Sequence, residues 1–427
     1  MVEMRTPIPV DEAVQRVVRH VRGGTSETIR LEETYGRYLG EAVIADHDVP
    51  HFNRSRYDGY AIRAVDSSAA SEKSPVVFEV IEEIGAGFIA SKAVEAFQAV
   101  RIMTGAQIPD TCDAVIMLES VKESEKNGKP YMSITRPFAS GENITFRGED
   151  IKKGSVLLSK GTYINPGVRA VLATFGYSKV KVMKKPEIGI YATGTELLDI
   201  DDPLVPGKIR NSNSHMLQAQ IERAGATPHY LGRLADDFEA CYQAIAKALD
   251  RYDLLITTGG VSVGDFDFLP AIYQKLGARV LFNKIAMRPG SVTTVAELDG
   301  KLLFGLSGNP SSCYVGFELY VGPVIRKILY SPHPYLQKIR ARLLADFPSN
   351  PFTRFVRSFV FFNEKGLQVV PSGLDKPHMI SSLAKANALS VLPGGTEGFH
   401  YGDEIDVLLL EGSKSREDKE GVIRGTV

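Results

Sequence analysis

The chain has 427 residues, 44% of them hydrophobic and 24% charged, which is the composition of a soluble globular protein and excludes a mostly disordered one. At roughly 100–200 residues per domain, it holds two to four domains, each able to bury its own core. Its 50 basic and 51 acidic residues leave a net charge of -1, so electrostatics give no case for nucleic-acid or membrane-surface binding as the main task.

Pro9 and Asp11 open a short helix whose apolar face is Val10, Ala13, Val14, Val17, Val18 and Val21. From about Val76 to Ile134 short β-like runs alternate with turn residues, and Lys126-Asn127-Gly128-Lys129 reads as a hairpin turn. That segment is a small β domain set between a helical start and mixed structure. A helix is expected after Asn165, with Pro166 as its first residue.

From about Met183 the rhythm changes. "EIGIYAT", "TPHYLGRL", "DLLITT" and "KLLFGLS" read as strands. The helices "SNSHMLQAQIERAG", "DFEACYQAIAKALDRY" and "PAIYQKLG" lie between them, and "SSCYVGFELYVGPVIRKIL" follows the last. Strands alternating with helices predict a doubly wound parallel sheet. After Ser331-Pro332 the pattern returns to β: "RFVRSFVFF" and "GLQVVPS" flank a turn at Asn363–Gly366, and "ALSVLPGG" and "DEIDVLLLEG" follow. The charged tail from Ser413 is expected to fray.

Cys112, Cys241 and Cys313 are far apart and form no C-x-x-C pair, which argues against a zinc site or a disulfide framework and for a reducing compartment. The N-terminal residues carry charges where a signal peptide needs an apolar core. No apolar run reaches the ~18 residues of a spanning helix. A cytoplasmic protein with no membrane or nucleic-acid partner is the expectation.

In an open parallel sheet, ligands bind beyond the carboxyl ends of the strands. Three such ends are small, Gly-bearing and hydroxyl-rich: Thr193-Gly194-Thr195-Glu196, Thr257 to Asp265 ("TTGGVSVGD"), and Leu306-Ser307-Gly308-Asn309-Pro310-Ser311-Ser312. Glycine lets backbone approach a ligand, and successive N–H groups form an anion nest. Each loop alone reads equally well as a capped tight turn. Three on one rim favour a pocket for an anionic or phosphate-bearing ligand. Neither G-x-x-x-x-G-K-[ST] nor a G-x-G-x-x-G after the first strand is present, which disfavours a P-loop NTPase or a Rossmann dehydrogenase.

Carboxylates crowd the same rim: Glu196, Asp236, Asp237, Asp265 and Asp267. Beside a phosphate pocket they call for a bridging hard cation, and Mg²⁺ is the usual one. Asp236 and Asp237 also suit a helix cap. Lys284 and Arg288, four residues apart, are candidate oxyanion contacts, with a solvated surface pair as the alternative.

The stretches "TTGGVSVGDFDF", "LSGNPSS", "RIMTGAQIP", "SRYDGYAIR" and "RGEDI" together resemble the MoeA-type molybdopterin molybdenumtransferases, relatives of the gephyrin E domain. The resemblance runs over nearly the whole chain. It implies an elongated split first domain (1–50 and 140–182), an inserted β domain (51–139), an α/β molybdopterin-binding domain (183–330) and a C-terminal β-barrel-like domain (331–427). The fold class is therefore α/β plus β, multidomain.

The resemblance further implies a step of molybdenum cofactor biosynthesis. Molybdate is inserted into adenylylated molybdopterin, and AMP is released with Mg²⁺ present. The family works as a homodimer, with its site between the α/β domain of one chain and the inserted β domain of the other; a molybdopterin-adenylylating enzyme would be the upstream partner. Motif by motif, it gives catalytic roles to Asp58, Thr104, Asp150, Glu196, Asp236, Asp267, Lys284 and Arg288. Glu196, Asp236, Asp265 and Asp267 would hold the metal. Gly194, Thr195, Gly259, Gly260, Ser262, Gly264, Ser307, Gly308, Asn309, Pro310 and Ser381 would cradle the pterin phosphate and adenylate.

The chain also departs from the family pattern. Arg288-Pro289-Gly290-Ser291-Val292 replaces "KPGKP", Ser307 stands in "LSGNP", and Arg54 and Arg56 enter the loop before Asp58. These changes bear on oxyanion binding and on molybdate against tungstate. Two other readings stand beside the transferase. Adenylyltransferases of this fold tend to carry "GGTG", where this chain has Gly259-Gly260-Val261-Ser262. A non-catalytic scaffold is the other.

Overall fold

The computed structural model describes residues 6–234, 237–260 and 269–410. Contacts divide the chain into two compact units, one of residues 42–159 and 168–178 and the other of residues 1–41, 160–167 and 179–427.

The smaller unit is built on a six-stranded sheet. Its strands are β1 (Gly59–Ile62), β2 (Val76–Ile84), β3 (Gln98–Ile102), β4 (Ala114–Met117), β5 (Lys122–Lys126) and β6 (Lys129–Ile134), in the order β4-β1-β3-β2-β6-β5. The hairpin between β5 and β6 turns at Asn127 and Gly128, both at positive φ (53° and 74°), as a two-residue Asn-Gly turn requires. Strand β1, which lies within the "SRYDGYAIR" motif, is buried along its whole length between β4 and β3. Its Gly59 is there for space: a Cβ would collide with the Ile116 carbonyl oxygen of β4. Two apolar layers cover the two faces of the sheet. Tyr60 and Ile62 face one, and Ala61 faces the other, with the period of two that strands impose.

The larger unit begins with the expected helix, Val10–Val18, which buries Ala13 and Val17. The helix over Pro166–Thr174 starts at Pro166 as predicted, and from Val168 on it belongs to the smaller unit. The α/β part comprises β7 (Glu187–Ala192), α1 (Ser212–Ala224), β8 (Thr227–Arg233), α2 (Phe238–Arg251), β9 (Leu254–Thr258), α3 (Leu269–Leu276), β10 (Arg279–Phe282), β11 (Met287–Arg288), β12 (Thr294–Leu298) and β13 (Lys301–Leu306). The sheet order is β8-β7-β9-β13-β12-β10. The four predicted strands are parallel, and the sheet extends by two more: β12 antiparallel to β13, and β10 antiparallel to β12. Those two short segments, "RVLF" and "TVAEL", flank the loop that carries Lys284 and Arg288.

Helices cover both faces. Leu254 and Ile256 of β9 join a core with α1, and Leu255 joins the other with α2 and α3. Helix α1 ends where Gly225 turns left-handed at φ 97°. Helices α4 (Pro310–Gly316) and α5 (Gly322–Ile328) form one rod, joined by a π-turn at Phe317–Val321. Pro323 has no N–H to give to Leu319, and the Gly322 N–H bonds back to the Phe317 carbonyl, so the ladder slips by one residue there.

The C-terminal β part is a closed five-stranded barrel. Its strands are β14 (Lys338–Leu343), β15 (Thr353–Asn363), β16 (Gly366–Pro371), β17 (Ala388–Leu392) and β18 (Glu404–Leu409); the short helix α6 (Ser381–Lys385) precedes β17. The circuit runs β15-β16-β14-β18-β17 and closes through β17 against β15. Strand β11, which lies in the chain between β10 and β12, pairs in parallel with β15.

Candidate functional site

On the larger unit the three strand-end loops meet. The Thr193 N–H donates to the Thr258 carbonyl at 3.0 Å, and the Gly259 N–H donates to the Leu306 carbonyl at 2.9 Å. Gly259 has φ 92°, and a Cβ there would meet the Thr193 carbonyl oxygen at 2.8 Å. Asn213, in the first turn of α1, ties the loops from behind: its side-chain amide donates to Thr258 Oγ1 at 2.8 Å and to the Gly308 carbonyl at 2.9 Å. Asn213 is 8% exposed, and its Oδ1 is buried with no hydrogen-bond partner among the described residues. The sequence reading missed it. The available signal was an Asn directly after the Asn211-Ser212 cap of a helix facing the rim.

Of the predicted rim residues, Gly194, Thr195, Glu196, Gly259, Gly260, Ser307, Gly308, Asn309 and Pro310 lie on these loops. Asp236, Ser262, Gly264, Asp265 and Asp267 lie outside the described residues. Glu196 is exposed and lies against Gly194, where a Cβ would strike its carboxylate. That carboxylate offers hard oxygen donors of the kind Mg²⁺ takes. Among the described residues no group of three or more His, Cys, Asp or Glu side chains gathers that could hold a metal. Asp237 caps α2, accepting the Ala240 N–H at 2.7 Å.

Beside the Ser307–Asn309 loop opens a cleft of about 470 Å³. Arg288, Arg354 and Arg357 line it together with Ser291, Ser307, Asn309, Ser312, Asn350 and one carboxylate, Asp375. Arg288 is exposed and, among the described residues, has no ion-pair partner. Arg354 and Arg357 converge on Asp375, at 2.7 Å and 2.8 Å. Arg357 is 2% exposed, and its remaining donors go to Ser382 Oγ at 3.3 Å and to the Leu374 and Lys376 carbonyls, each at 3.2 Å. Burial pushes the Arg357 pKa down, and the charge of Asp375 opposes that shift. Guanidinium, hydroxyl and amide groups are donors of the kind an oxyanion accepts from, and two of the three guanidinium groups here are engaged by Asp375.

Two predicted residues fall elsewhere. Lys284 is not among the residues lining the cleft; its carbonyl accepts the Ile8 N–H at 3.2 Å. Ser381 is exposed at the start of α6, and its buried neighbour Ser382 is the residue that touches Arg357. The sequence reading missed Arg354, Arg357 and Asp375. The signal was Arg357 set among inward-facing apolar residues of "RFVRSFVFF", where a charge needs a partner.

In the smaller unit, Asp58 and Thr104 come together. Asp58 Oδ1 accepts both the Thr104 N–H (2.7 Å) and the Thr104 hydroxyl (2.8 Å). The backbone bond first, then the hydroxyl bond, lowers the Asp58 pKa. Its Oδ2 has no hydrogen bond among the described residues. Arg56, one of the two arginines in that loop, pairs with Glu149 at 2.7 Å and so ties the turn before Asp58 to the residue beside Asp150. Asp150 is itself exposed, and its N–H donates to the Val49 carbonyl. No helix among the described residues is long and apolar enough to cross a membrane.

Comparison with known proteins agrees with this layout. Residues 8–176 match the MoeA N-terminal region (domains I and II), 189–327 a probable molybdopterin binding domain, and 340–410 the MoeA C-terminal region (domain IV). The chain is 58% identical over 411 residues to the molybdopterin molybdenumtransferase of Bacillus subtilis strain 168, covering 96% of each chain. It is 48% identical over 419 residues to that of Staphylococcus aureus strain COL, covering 98% of this chain and 99% of the relative. The crystal structure of the molybdopterin biosynthesis moeA protein from Pyrococcus horikoshii OT3 matches with a TM-score of 0.81 at 32% identity, over 95% of this chain and 100% of that one. With relatives of that identity spanning nearly its whole length, the chain belongs to the MoeA family of molybdopterin molybdenumtransferases.

Proposed function

We propose that the chain is an enzyme of molybdenum cofactor biosynthesis that inserts molybdate into adenylylated molybdopterin and releases AMP. The carrying observation is the arginine-lined cleft next to the laced strand-end loops. One pocket suits a tetrahedral dianion, and the loops beside it suit a phosphate-bearing pterin. In the reaction, two dithiolene sulfurs bind molybdenum, and their two protons leave with one oxo group as water. Release of AMP consumes a water at the phosphoanhydride.

The residues divide the work. Arg288 faces the entering molybdate, with Ser291 and Ser312 as neutral donors. Gly259, Gly260, Gly308 and Asn309 let backbone approach the phosphate. Asp58, held ionised by Thr104 with one oxygen left over, is poised to take up a proton or to bind a cation. Mg²⁺ would be held by Glu196 with Asp236, Asp265 and Asp267, and when bound it neutralises charge between carboxylate and phosphate oxygens.

The working assembly in this proposal is a cytoplasmic homodimer in which Asp58, Thr104 and Asp150 of one chain complete the rim of the other. An adenylylating enzyme supplies the substrate. The four-part division at 1–50 with 140–182, 51–139, 183–330 and 331–427 is the proposed domain plan. Anaerobic mixing with adenylylated molybdopterin, Mg²⁺ and molybdate tests the reading. Molybdate-dependent AMP release is expected, and its absence with both molybdate and tungstate overturns it.

A further inference from the structure

The oxyanion cleft already contains an anion of its own. Asp375 uses both carboxylate oxygens, Oδ2 on Arg354 Nη2 and Oδ1 on Arg357 Nη1. The segment that carries it acts as a strap. The Leu374 and Lys376 carbonyls accept from Arg357 Nη2. The Pro377 carbonyl accepts the Ser311 N–H at 3.1 Å, and the Met379 carbonyl accepts the Ser311 hydroxyl at 2.8 Å. The donors of the inner wall are thus taken by a strap that is itself largely exposed, with Leu374 at 66%. Arg288, which stands beside Arg354 in register, is the cleft arginine left without an ion-pair partner among the described residues.

We propose that Asp375 is the specificity-determining residue of this cleft, a resident counter-ion that an incoming oxyanion must displace from Arg354 and Arg357. The proposal rests on the reading of the cleft as the molybdate pocket. Its consequence is selection by charge. A monoanion that replaces a carboxylate on two guanidinium groups gains nothing, because one negative charge leaves as another enters. A dianion gains one further charge against three arginines. Molybdate passes that test, and a tetrahedral monoanion of similar build, perrhenate, does not.

The test is equilibrium binding of molybdate and of perrhenate to the full chain, its Asp375→Asn, Asp375→Glu and Arg288→Ala variants, with thermal unfolding as the check of folding. The wild type is expected to bind molybdate and not perrhenate. Asp375→Asn is expected to bind molybdate at least about tenfold tighter and to accept perrhenate. Asp375→Glu should restore exclusion of perrhenate. In the wild type, molybdate should speed amide hydrogen exchange at Ser311 and along residues 374–379 as the strap lets go.

Weaker molybdate binding by Asp375→Asn makes Asp375 a support for the arginines and overturns the proposal. So does a wild type that binds both anions alike, or a strap that becomes more protected. If Arg288→Ala binds molybdate as the wild type does, or the wild type binds none, the pocket reading itself fails, and the proposal with it.

Discussion

Asp58 and Thr104 are 46 residues apart in sequence, yet one carboxylate oxygen of Asp58 receives both the amide and the hydroxyl of Thr104. The pair is graded: the amide bond needs only a residue other than proline at 104, and the hydroxyl bond needs a hydroxyl there. Asp58→Asn is expected to lower molybdate-dependent AMP release by about 100-fold or more, the scale of a lost acid–base group. Thr104→Val should cost about tenfold or less, because the amide still orients the carboxylate. The measurement is initial rate at saturating substrate. Equal rates for Asp58→Asn and parent would remove Asp58 from the site.

The same pair sets a pH dependence. Thr104 lowers the Asp58 pKa below its unfolded value. Its contribution to stability is therefore present above the unfolded pKa and is lost as pH falls through the lowered folded one. Melting curves taken from neutral pH down through the acid carboxylate range should fall less steeply for Thr104→Val than for the parent. A steeper fall would contradict the assignment.

Arg288 is the cleft arginine without an ion-pair partner among the described residues, so removing it leaves no charge stranded. Arg288→Ala should raise the KM for molybdate by about 10- to 100-fold, the worth of a charge-assisted hydrogen bond, with the melting temperature nearly unchanged. Arg288→Lys should recover most of that loss, since the charge is kept. Steady-state kinetics with varied molybdate decide it.

Two glycines of the smaller unit separate steric need from backbone conformation. Gly59 has the Ile116 carbonyl where a Cβ would go, in the middle of the sheet. Gly87 has φ 88° and nothing within 4 Å. Gly59→Ala should destabilise by about 3 kcal/mol or more, or fail to accumulate as folded protein. Gly87→Ala should cost about 1 kcal/mol, the strain of a left-handed residue alone. Urea unfolding of the two variants checks the order.

All three cysteines are buried, and burial pushes the Cys112 and Cys313 thiols up to about 12. Thiolate is the reactive form, so native protein at pH 8 should resist alkylation, and three thiols should react once it is unfolded. Rapid native labelling at any one site, read by mass spectrometry, would show an opening of the core there.

The parallel strands were legible because β9 and β13 are short apolar runs that end in Gly-bearing loops. The helix ends were legible where Pro166 and Gly225 stand. Strand β1 was not, because "GYAI" is four residues long and follows a polar turn; its burial comes from the strands on both sides. Strands β10 and β12 were hidden for a related reason: β12 is decided by antiparallel pairing against β13, and β10 by antiparallel pairing against β12, partners known only once the chain is folded. In the site, the glycine loops announced themselves through composition. Asn213, Arg354 and Asp375 did not, since each matters through a contact with residues far away in sequence.

Strand β11 leaves the α/β sheet, pairs with β15 of the barrel, and returns as β12. Arg288 is therefore supplied by one module while riding on the framework of another, and Arg354 stands directly across from it in register. The barrel cannot be exchanged between relatives as a cassette cut at residue 331. A working chimera has to inherit the Asn283–Thr293 crossover together with its barrel, because one strand of the barrel framework is carried by the α/β module.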